Sequence, residues 1–466
     1  MRHKDRVLNF IMLSVIVLVF TQSLCAANPV PLVIQASPTS VRPGGPAFTL
    51  NVTGSGFVSG SVVNWNGSPR ATTFHSKDQV SASVAASDIA TAATAWITVV
   101  NPGPGGGTSN LAFLPINTPI SRPTFTTSNW GADDPFQAIV TGDFNGDGHL
   151  DVAAADIAFN QLWVLLGNGD GTFQPAVPYV AGDTPMSLAT GDFNGDGKLD
   201  LVMANQSGCG LGGSVSVFLG NGDGTFQNQV EYATGHCPQM AIVGDFNGDG
   251  KLDLAVASLG DNAASVLLGN GDGTFQSYVD YAAASNATSI TTGDFNRDGK
   301  LDLAVAGVGE ISILLGKGDG TFLSQTPFSS TARFSITAAD LNHDGKLDLV
   351  GTNDSGTIGG AVVMLGNGDG TFGPATVFTT GRNPIYVTVA DLNNDGKLDL
   401  TLTNANSNTL SILFGNGDGT FKRPATNYTT GPNPAALAAG DINGDGRLDL
   451  PVLVANQSPT LTLFLQ

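Results

Sequence analysis

The side chains best placed for chemistry in this sequence are aspartates set on alternate positions of a nine-residue loop, Asp143-Phe144-Asn145-Gly146-Asp147-Gly148-His149-Leu150-Asp151. Oxygen-bearing side chains stand at positions 1, 3, 5 and 9 (Asp143, Asn145, Asp147, Asp151), with glycine at position 6. A hard cation such as Ca²⁺ takes six to eight oxygen ligands at about 2.3–2.6 Å. Short carboxylates on alternate residues of a tight loop can turn inward together, and glycine permits the bend. Position 7, here His149, would contribute only its backbone carbonyl.

Six near copies follow. They supply Asp192, Asn194, Asp196 and Asp200 with Lys198 at position 7; Asp245, Asn247, Asp249 and Asp253 with Lys251; and Asp294, Asn296, Asp298 and Asp302 with Lys300. The last three supply Asp340, Asn342, Asp344 and Asp348 with Lys346; Asp391, Asn393, Asp395 and Asp399 with Lys397; and Asp441, Asn443, Asp445 and Asp449 with Arg447. The first aspartates are 49, 53, 49, 46, 51 and 50 residues apart, so one supersecondary unit is repeated seven times. Three carboxylates within nine residues repel one another unless a cation is present, so the expected cofactor is structural calcium, up to seven ions that contribute to folding directly.

Composition agrees with that reading. Of 39 acidic residues only Glu231 and Glu310 are glutamate, and 21 of the 37 aspartates sit in the seven loops. Seven Ca²⁺ would bring the formal charge of −20 to about −6. No basic stripe is available to contact phosphates, which excludes nucleic acid as a partner. Glycine is abundant, with 61 residues, and charged residues make up only 12%, which suits short strands joined by tight turns.

The elements that must position the loops can be read in order. Arg2, Lys4 and Arg6, the apolar run Val7–Phe20 and the small residues at Cys25-Ala26-Ala27 read as an export signal over residues 1–27, cleaved near Ala27. An uncleaved anchor helix is the alternative, but the run falls short of the ~20 residues needed to span a bilayer. A lipoprotein is a weaker one, because Leu24 precedes Cys25. After cleavage no membrane span is expected. From Pro29 to Ile116 there is no acidic loop, and short alternating runs (Leu32–Ile34, Phe48–Val52, Val62–Trp65, Val80–Val84, Trp96–Val100) predict a small β-sandwich, assigned to residues 28–117.

Residues 118–466 are the repeats. In the third, Met240–Gly244, Leu252–Ala257, Ser265–Leu268 and Tyr278–Ala283 are four short apolar runs, and Gly269-Asn270-Gly271-Asp272-Gly273-Thr274-Phe275 turns between the last two. Four such strands per repeat predict a propeller blade. The second turn recurs at Gly167, Gly220, Gly269, Gly316, Gly366 and Gly415, six times against seven acidic loops. The chain ends before a seventh fourth strand, while residues 123–130 resemble one, so the ring is expected to close by pairing that segment with the last three strands. The expected fold class is all-β, a seven-bladed propeller preceded by the sandwich.

These loops and the Leu-Asp-Leu-type strands after them resemble the FG-GAP/VCBS repeats of integrin-α-like propellers over residues 123–466. The resemblance implies that each nonapeptide joins the first and second strands of a blade and holds one Ca²⁺. The phrases Ser37-Pro38-Thr39-Ser40, Gly54-Ser55-Gly56-Phe57, Val63-Asn64-Trp65-Asn66-Gly67 and Val99-Val100-Asn101-Pro102 resemble the IPT/TIG immunoglobulin-like domains, which implies a spacer or contact module and no chemistry. Calmodulin-like hands and dockerins need flanking helices, and contiguous nonapeptide arrays need adjacent loops; neither pattern is present.

Other constellations are weaker. The Gly-Asn-Gly-Asp-Gly-Thr-Phe turns lack the lysine and helix of a phosphate-binding loop, so Asp170, Asp223, Asp272, Asp319, Asp369 and Asp418 are read as turn caps and Phe173 and its equivalents as filling between blades. Cys209 and Cys237 fall in connections on the face opposite the acidic loops and are a candidate disulfide, two free thiols being the alternative. No Ser/His/Asp spacing, zinc motif or glutamate pair emerges, so no catalytic residues are assigned and the chain is read as a non-enzyme. The expected function is a secreted or cell-surface, monomeric binding or adhesion module for a glycan or protein. Its variable loops Asp156–Gln161, Gly208–Gly213, Leu259–Ala263 and Asp354–Gly360 would set specificity. An extracellular polysaccharide hydrolase or lyase with its site opposite the calcium loops is the alternative.

Overall fold

A computed structural model describes residues 27–130, 136–210, 212–324, 326–354, 359–454 and 461–466. The expected export signal, with Cys25, lies essentially outside the described residues. The described chain is almost entirely strand and turn, its one named helix being the single 3₁₀ turn Ala86–Ile89, and none of its helices is long and apolar enough to cross a membrane.

Two sheets form the amino-terminal unit. One has the order Leu32–Ser37, Phe48–Ser55, Gln79–Val84, Thr72–Ser76; the other is Ser68–Pro69, Val62–Trp65, Ala93–Asn101, Gly107–Thr108, with Ala112–Ile116 also pairing Ala93–Asn101. Alternation along these strands turns Leu50, Val52, Val80, Val63, Trp65, Ile97, Val99 and Leu114 into one shared apolar core.

The rest of the chain folds into four-stranded antiparallel sheets of one repeated order. The first comprises Phe136–Gly142, Asp151–Asp156, Gln161–Leu165 and Val177–Val180, paired in sequence. Five more follow the same order, starting at Pro185, Pro238, Ser289, Ile336 and Pro384. The last sheet combines Pro434–Leu437, Leu450–Val454 and Leu461–Leu465 with the distant strand Thr126–Trp130, which pairs Leu461–Leu465 from Thr126↔Leu465 to Trp130↔Leu461. Each first strand touches the first strand of the next sheet, and Pro434–Leu437 touches Phe136–Gly142.

The burial pattern explains why the runs look as they do. Second strands such as Asp200–Asn205 are buried at every position, because a neighbouring sheet covers each face, so their sequence is continuously apolar rather than alternating. Fourth strands such as Val177–Val180 are mostly exposed. The core lies between sheets: Phe144 of the first meets Phe226 of the second at 5.6 Å between ring centroids, Phe193 meets Phe275 at 5.6 Å, and Phe246 meets Phe322 at 5.8 Å, all edge to face. The turn phenylalanines therefore do fill the space between neighbouring sheets.

Candidate functional site

Each acidic loop joins the first and second strands of its sheet, and its side chains are ordered by backbone N–H groups. In the first, Asp143 accepts from Gly146 N at 2.7 Å and from Gly148 N at 3.0 Å, Asn145 Oδ1 accepts from Asp147 N at 2.9 Å, and Asp147 accepts from His149 N at 2.8 Å. Gly148, with φ at +91°, supplies the left-handed bend at position 6. Asp192, Asn194 and Asp196 repeat the pattern, as do the other copies.

Position 9 behaves differently from the other three. Asp151, Asp200, Asp253, Asp302, Asp348, Asp399 and Asp449 are all 0% exposed. In Asp151 one oxygen accepts from Phe144 N at 2.7 Å and the other from Gly167 N at 2.8 Å, so the carboxylate ties the start of its loop to the start of the second turn. Asp253 does the same with Phe246 and Gly269, and Asp399 with Leu392 and Gly415. In the last sheet, which has no second turn, Asp449 accepts instead from Gln466 N at 2.8 Å. Gly167 is needed here for close approach rather than for its φ: a Cβ would lie 2.2 Å from the Leu150 carbonyl oxygen.

Burial is the main perturbation of these carboxyls. It raises Asp151, Asp200 and Asp348 to about 6, Asp302 and Asp449 to about 7 and Asp253 to about 8, and holds Asp399 well above the ordinary range; nearby loop aspartates add to the effect. Among the position-1 aspartates, burial lifts Asp245 to about 6 and Asp294 to about 7, the latter with help from the Asp78 carboxyl, and raises Asp340, Asp391 and Asp441. A carboxylate kept ionised in such a setting needs a compensating charge.

The lysines do not supply it at position 9. Four of the five pair with position 5 instead, Lys198 with Asp196 at 3.4 Å, Lys251 with Asp249 at 3.8 Å, Lys300 with Asp298 at 3.6 Å and Lys346 with Asp344 at 3.1 Å, while Asp395 is met by Lys422 at 4.0 Å. At these four loops the position-7 side chain thus pairs with the position-5 carboxylate, a contact that the free variation of position 7 does not announce. The donor set of the loops is oxygen only, suited to a hard divalent cation and not to a soft one. Among the described residues, no three His, Cys, Asp or Glu side chains are gathered closely enough to hold a metal ion as they stand.

The seven loops are not equivalent, because the amino-terminal unit sits on them. Val30 N donates to Asp245 at 2.9 Å, the Thr39 hydroxyl to Asp391 at 2.9 Å, and Asp340 N to Gln35 Oε1 at 3.1 Å. Asn117 Nδ2 donates to the Asp445 carbonyl at 3.2 Å, and Arg447 donates to Asn117 Oδ1 at 3.1 Å. Asp245, Asp294, Asp340 and Asp391 are buried, whereas Asp143 and Asp192 stay partly exposed. The amino-terminal unit, for which the resemblance implied a spacer or contact module, is thus seated on the acidic face.

On the opposite face, where the first strands begin, the axis opens into a cavity of about 590 Å³. Gln137, Met186, Gln239, Arg333, Phe334 and Tyr386 are among the residues lining it. Cys209 and Cys237 also lie on this side, their Cα atoms 4.8 Å apart, within the span a disulfide bridges. Of the variable connections, Leu259 reaches the cavity wall.

The repeat can be compared with known families. The profile of the FG-GAP-like repeat matches residues 143–203, 192–256, 245–305, 294–351, 340–402 and 401–452, an unbroken stretch of more than half of the chain. The chain belongs to the FG-GAP-like repeat family. Its repeated four-stranded sheets make it a repeat β-propeller. No curated protein matches it. Among solved structures, it is similar to hydrazine synthase of Kuenenia stuttgartiensis, with 12% identity over 73% of this chain and 98% of that one and a TM-score of 0.50, a likeness of fold alone. It is also similar to an Agrocybe aegerita lectin, described as recognising non-reducing terminal N-acetylglucosamine, with 19% identity over 79% and 96% of the two chains and a TM-score of 0.45. An auxiliary nutrient binding protein of Bacteroides ovatus is similar at 12% identity over 93% and 97%, with a TM-score of 0.40.

Proposed function

We propose that this FG-GAP-like protein is an exported, monomeric, calcium-braced binding module that engages a glycan or protein through the face opposite its acidic loops. In this reading the repeated sheets are the blades of a seven-bladed propeller closed by Thr126–Trp130. The amino-terminal unit is an IPT/TIG-like immunoglobulin fold, and the loops hold structural Ca²⁺ through positions 1, 3 and 5, the position-7 carbonyl and position 9. Cys209 and Cys237 form a disulfide. The observation that carries the choice of face is the seating of the amino-terminal unit: Thr39, Gln35 and Val30 bond directly to the acidic loops, while the other end of the axis opens into a cavity of about 590 Å³.

Screening the full-length, calcium-loaded protein against immobilised glycans and cell-surface proteins tests this. Saturable binding without turnover is expected, lost when residues of the cavity face are changed and kept when exposed residues of the first acidic loop are changed. Binding abolished only by changes on the acidic face would overturn it. Release of oligosaccharide in the same assay would replace it with a polysaccharide-cleaving role.

A further inference from the structure

The axial cavity has a chemistry of its own, and Arg333 sets it. Among the described lining residues Arg333 is the one charged side chain, in a protein of formal charge −20. Its neighbours offer amides (Gln137, Gln239, Asn286) and two aromatic rings (Phe334, Tyr386). The guanidinium lies 5.2 Å from the Phe334 ring centroid, and among the described residues no carboxylate pairs with it. Its backbone is pinned from two sides: Arg333 N donates to the Thr352 carbonyl at 2.8 Å, and the Thr288 hydroxyl donates to the Arg333 carbonyl. Arg333 therefore lines the cavity with its guanidinium against the Phe334 ring and, among the described residues, no carboxylate paired with it.

Arg333 also stands at a position that varies among the repeats. Four sheets begin their first strand with a left-handed residue followed by proline: Thr184-Pro185, Cys237-Pro238, Asn383-Pro384 and Asn433-Pro434, with φ between +51° and +56°. Two other sheets lack this proline: the one starting at Ser289 has Asn286-Ala287-Thr288 there, and the one starting at Ile336 has Arg333-Phe334-Ser335. A device that braces the fold would be repeated around the ring, whereas the arginine stands at this position in one sheet and lines the axial cavity, as a recognition residue would.

We propose that this cavity binds a carboxylate-bearing sugar, a uronic acid residue of a glycan. Arg333 takes the carboxylate through paired N–H donors, Phe334 and Tyr386 contact the ring faces, and the Gln137, Gln239 and Asn286 amides, each both donor and acceptor, bond the ring hydroxyls. Tyr386 has its phenol raised by burial and no hydrogen-bond partner among the described residues, which leaves its hydroxyl for a ligand. This inference rests on the binding-module reading and narrows it to one ligand class and one site.

Isothermal titration of the full-length protein with galacturonate and glucuronate trisaccharides, and with their carboxyl-reduced counterparts, tests it. At least one uronate should bind about tenfold or more tightly than its neutral counterpart. Arg333→Gln should lose about 10- to 100-fold toward the uronate with little change toward the neutral sugar, the range expected for a charge-assisted hydrogen bond, and Arg333→Lys should recover part of the loss. An unchanged melting temperature confirms that the variants are folded. Equal binding of neutral and acidic sugars, or indifference to Arg333→Gln, overturns the uronate assignment and leaves the binding-module reading standing. Saturable binding of a peptide carboxyl terminus and of no sugar also overturns it. Failure of every sugar and every protein probe would sink both.

Discussion

At the scale of single residues, the ninth-position aspartate is the buried anchor of its loop, and the proposed calcium would give it a second role. The alternate spacing of Asp143, Asn145, Asp147 and Asp151, on which the proposed calcium site rests, is legible because each copy repeats it. What spacing hides is that Asp151 and its equivalents in the first six sheets bridge two loops through both oxygens, since one of the donors, Gly167 N, is 16 residues away. Asp253→Asn places an amide donor where both oxygens of Asp253 accept N–H groups from Phe246 and Gly269. The expected cost is about 1–3 kcal/mol of folding stability, from one buried N–H left without its acceptor. Thermal melting in the presence of calcium checks it, and an unchanged melting temperature would show that the bridge is dispensable.

At the scale of elements, the four strands of each repeat could be read from short apolar runs bounded by glycine turns, and the observed limits of the third sheet, from Pro238 to Ala282, lie close to those expected. The turn phenylalanine was legible as filling, since an aromatic recurring after Gly-Asp-Gly-Thr has no cause within its own turn. Phe275, packed against Phe193 and Tyr232 across the gap between sheets, should cost about 3–5 kcal/mol when changed to Ala, measured by denaturant unfolding. Not legible was the left-handed residue before proline at Thr184, Cys237, Asn383 and Asn433, because only glycine or asparagine announces such a φ in a sequence and two of these four are neither. The close Cα atoms of Cys209 and Cys237 give a simple expectation: the folded, exported protein shows no free thiol at these positions until reductant is added, as thiol titration under denaturing conditions would report. Two thiols found without reductant would contradict it.

At the scale of the whole molecule, the relation of the amino-terminal unit to the propeller was not legible. The resemblance of residues 28–117 to IPT/TIG domains implies a spacer or contact module and says nothing of where it sits. The contacts that seat it use a backbone N–H at Val30, a hydroxyl at Thr39 and an amide at Gln35, groups that every sequence contains, meeting partners as far as 352 residues away. The consequence is that the first aspartates of four acidic loops, Asp245, Asp294, Asp340 and Asp391, are buried, so under the proposed calcium reading cation binding, loop order and the seating of the amino-terminal unit would stabilise one another. Removing the cation should then loosen the whole chain rather than single loops. Calorimetric melting of the full-length protein, with calcium and with excess EGTA, tests this most directly. Binding to the folded state alone is worth about 2.7 kcal/mol per site at a hundredfold excess over Kd, so several sites acting together predict a markedly lower melting temperature for both the propeller and the amino-terminal unit on chelation. An identical melting curve in excess EGTA would contradict the calcium-braced account.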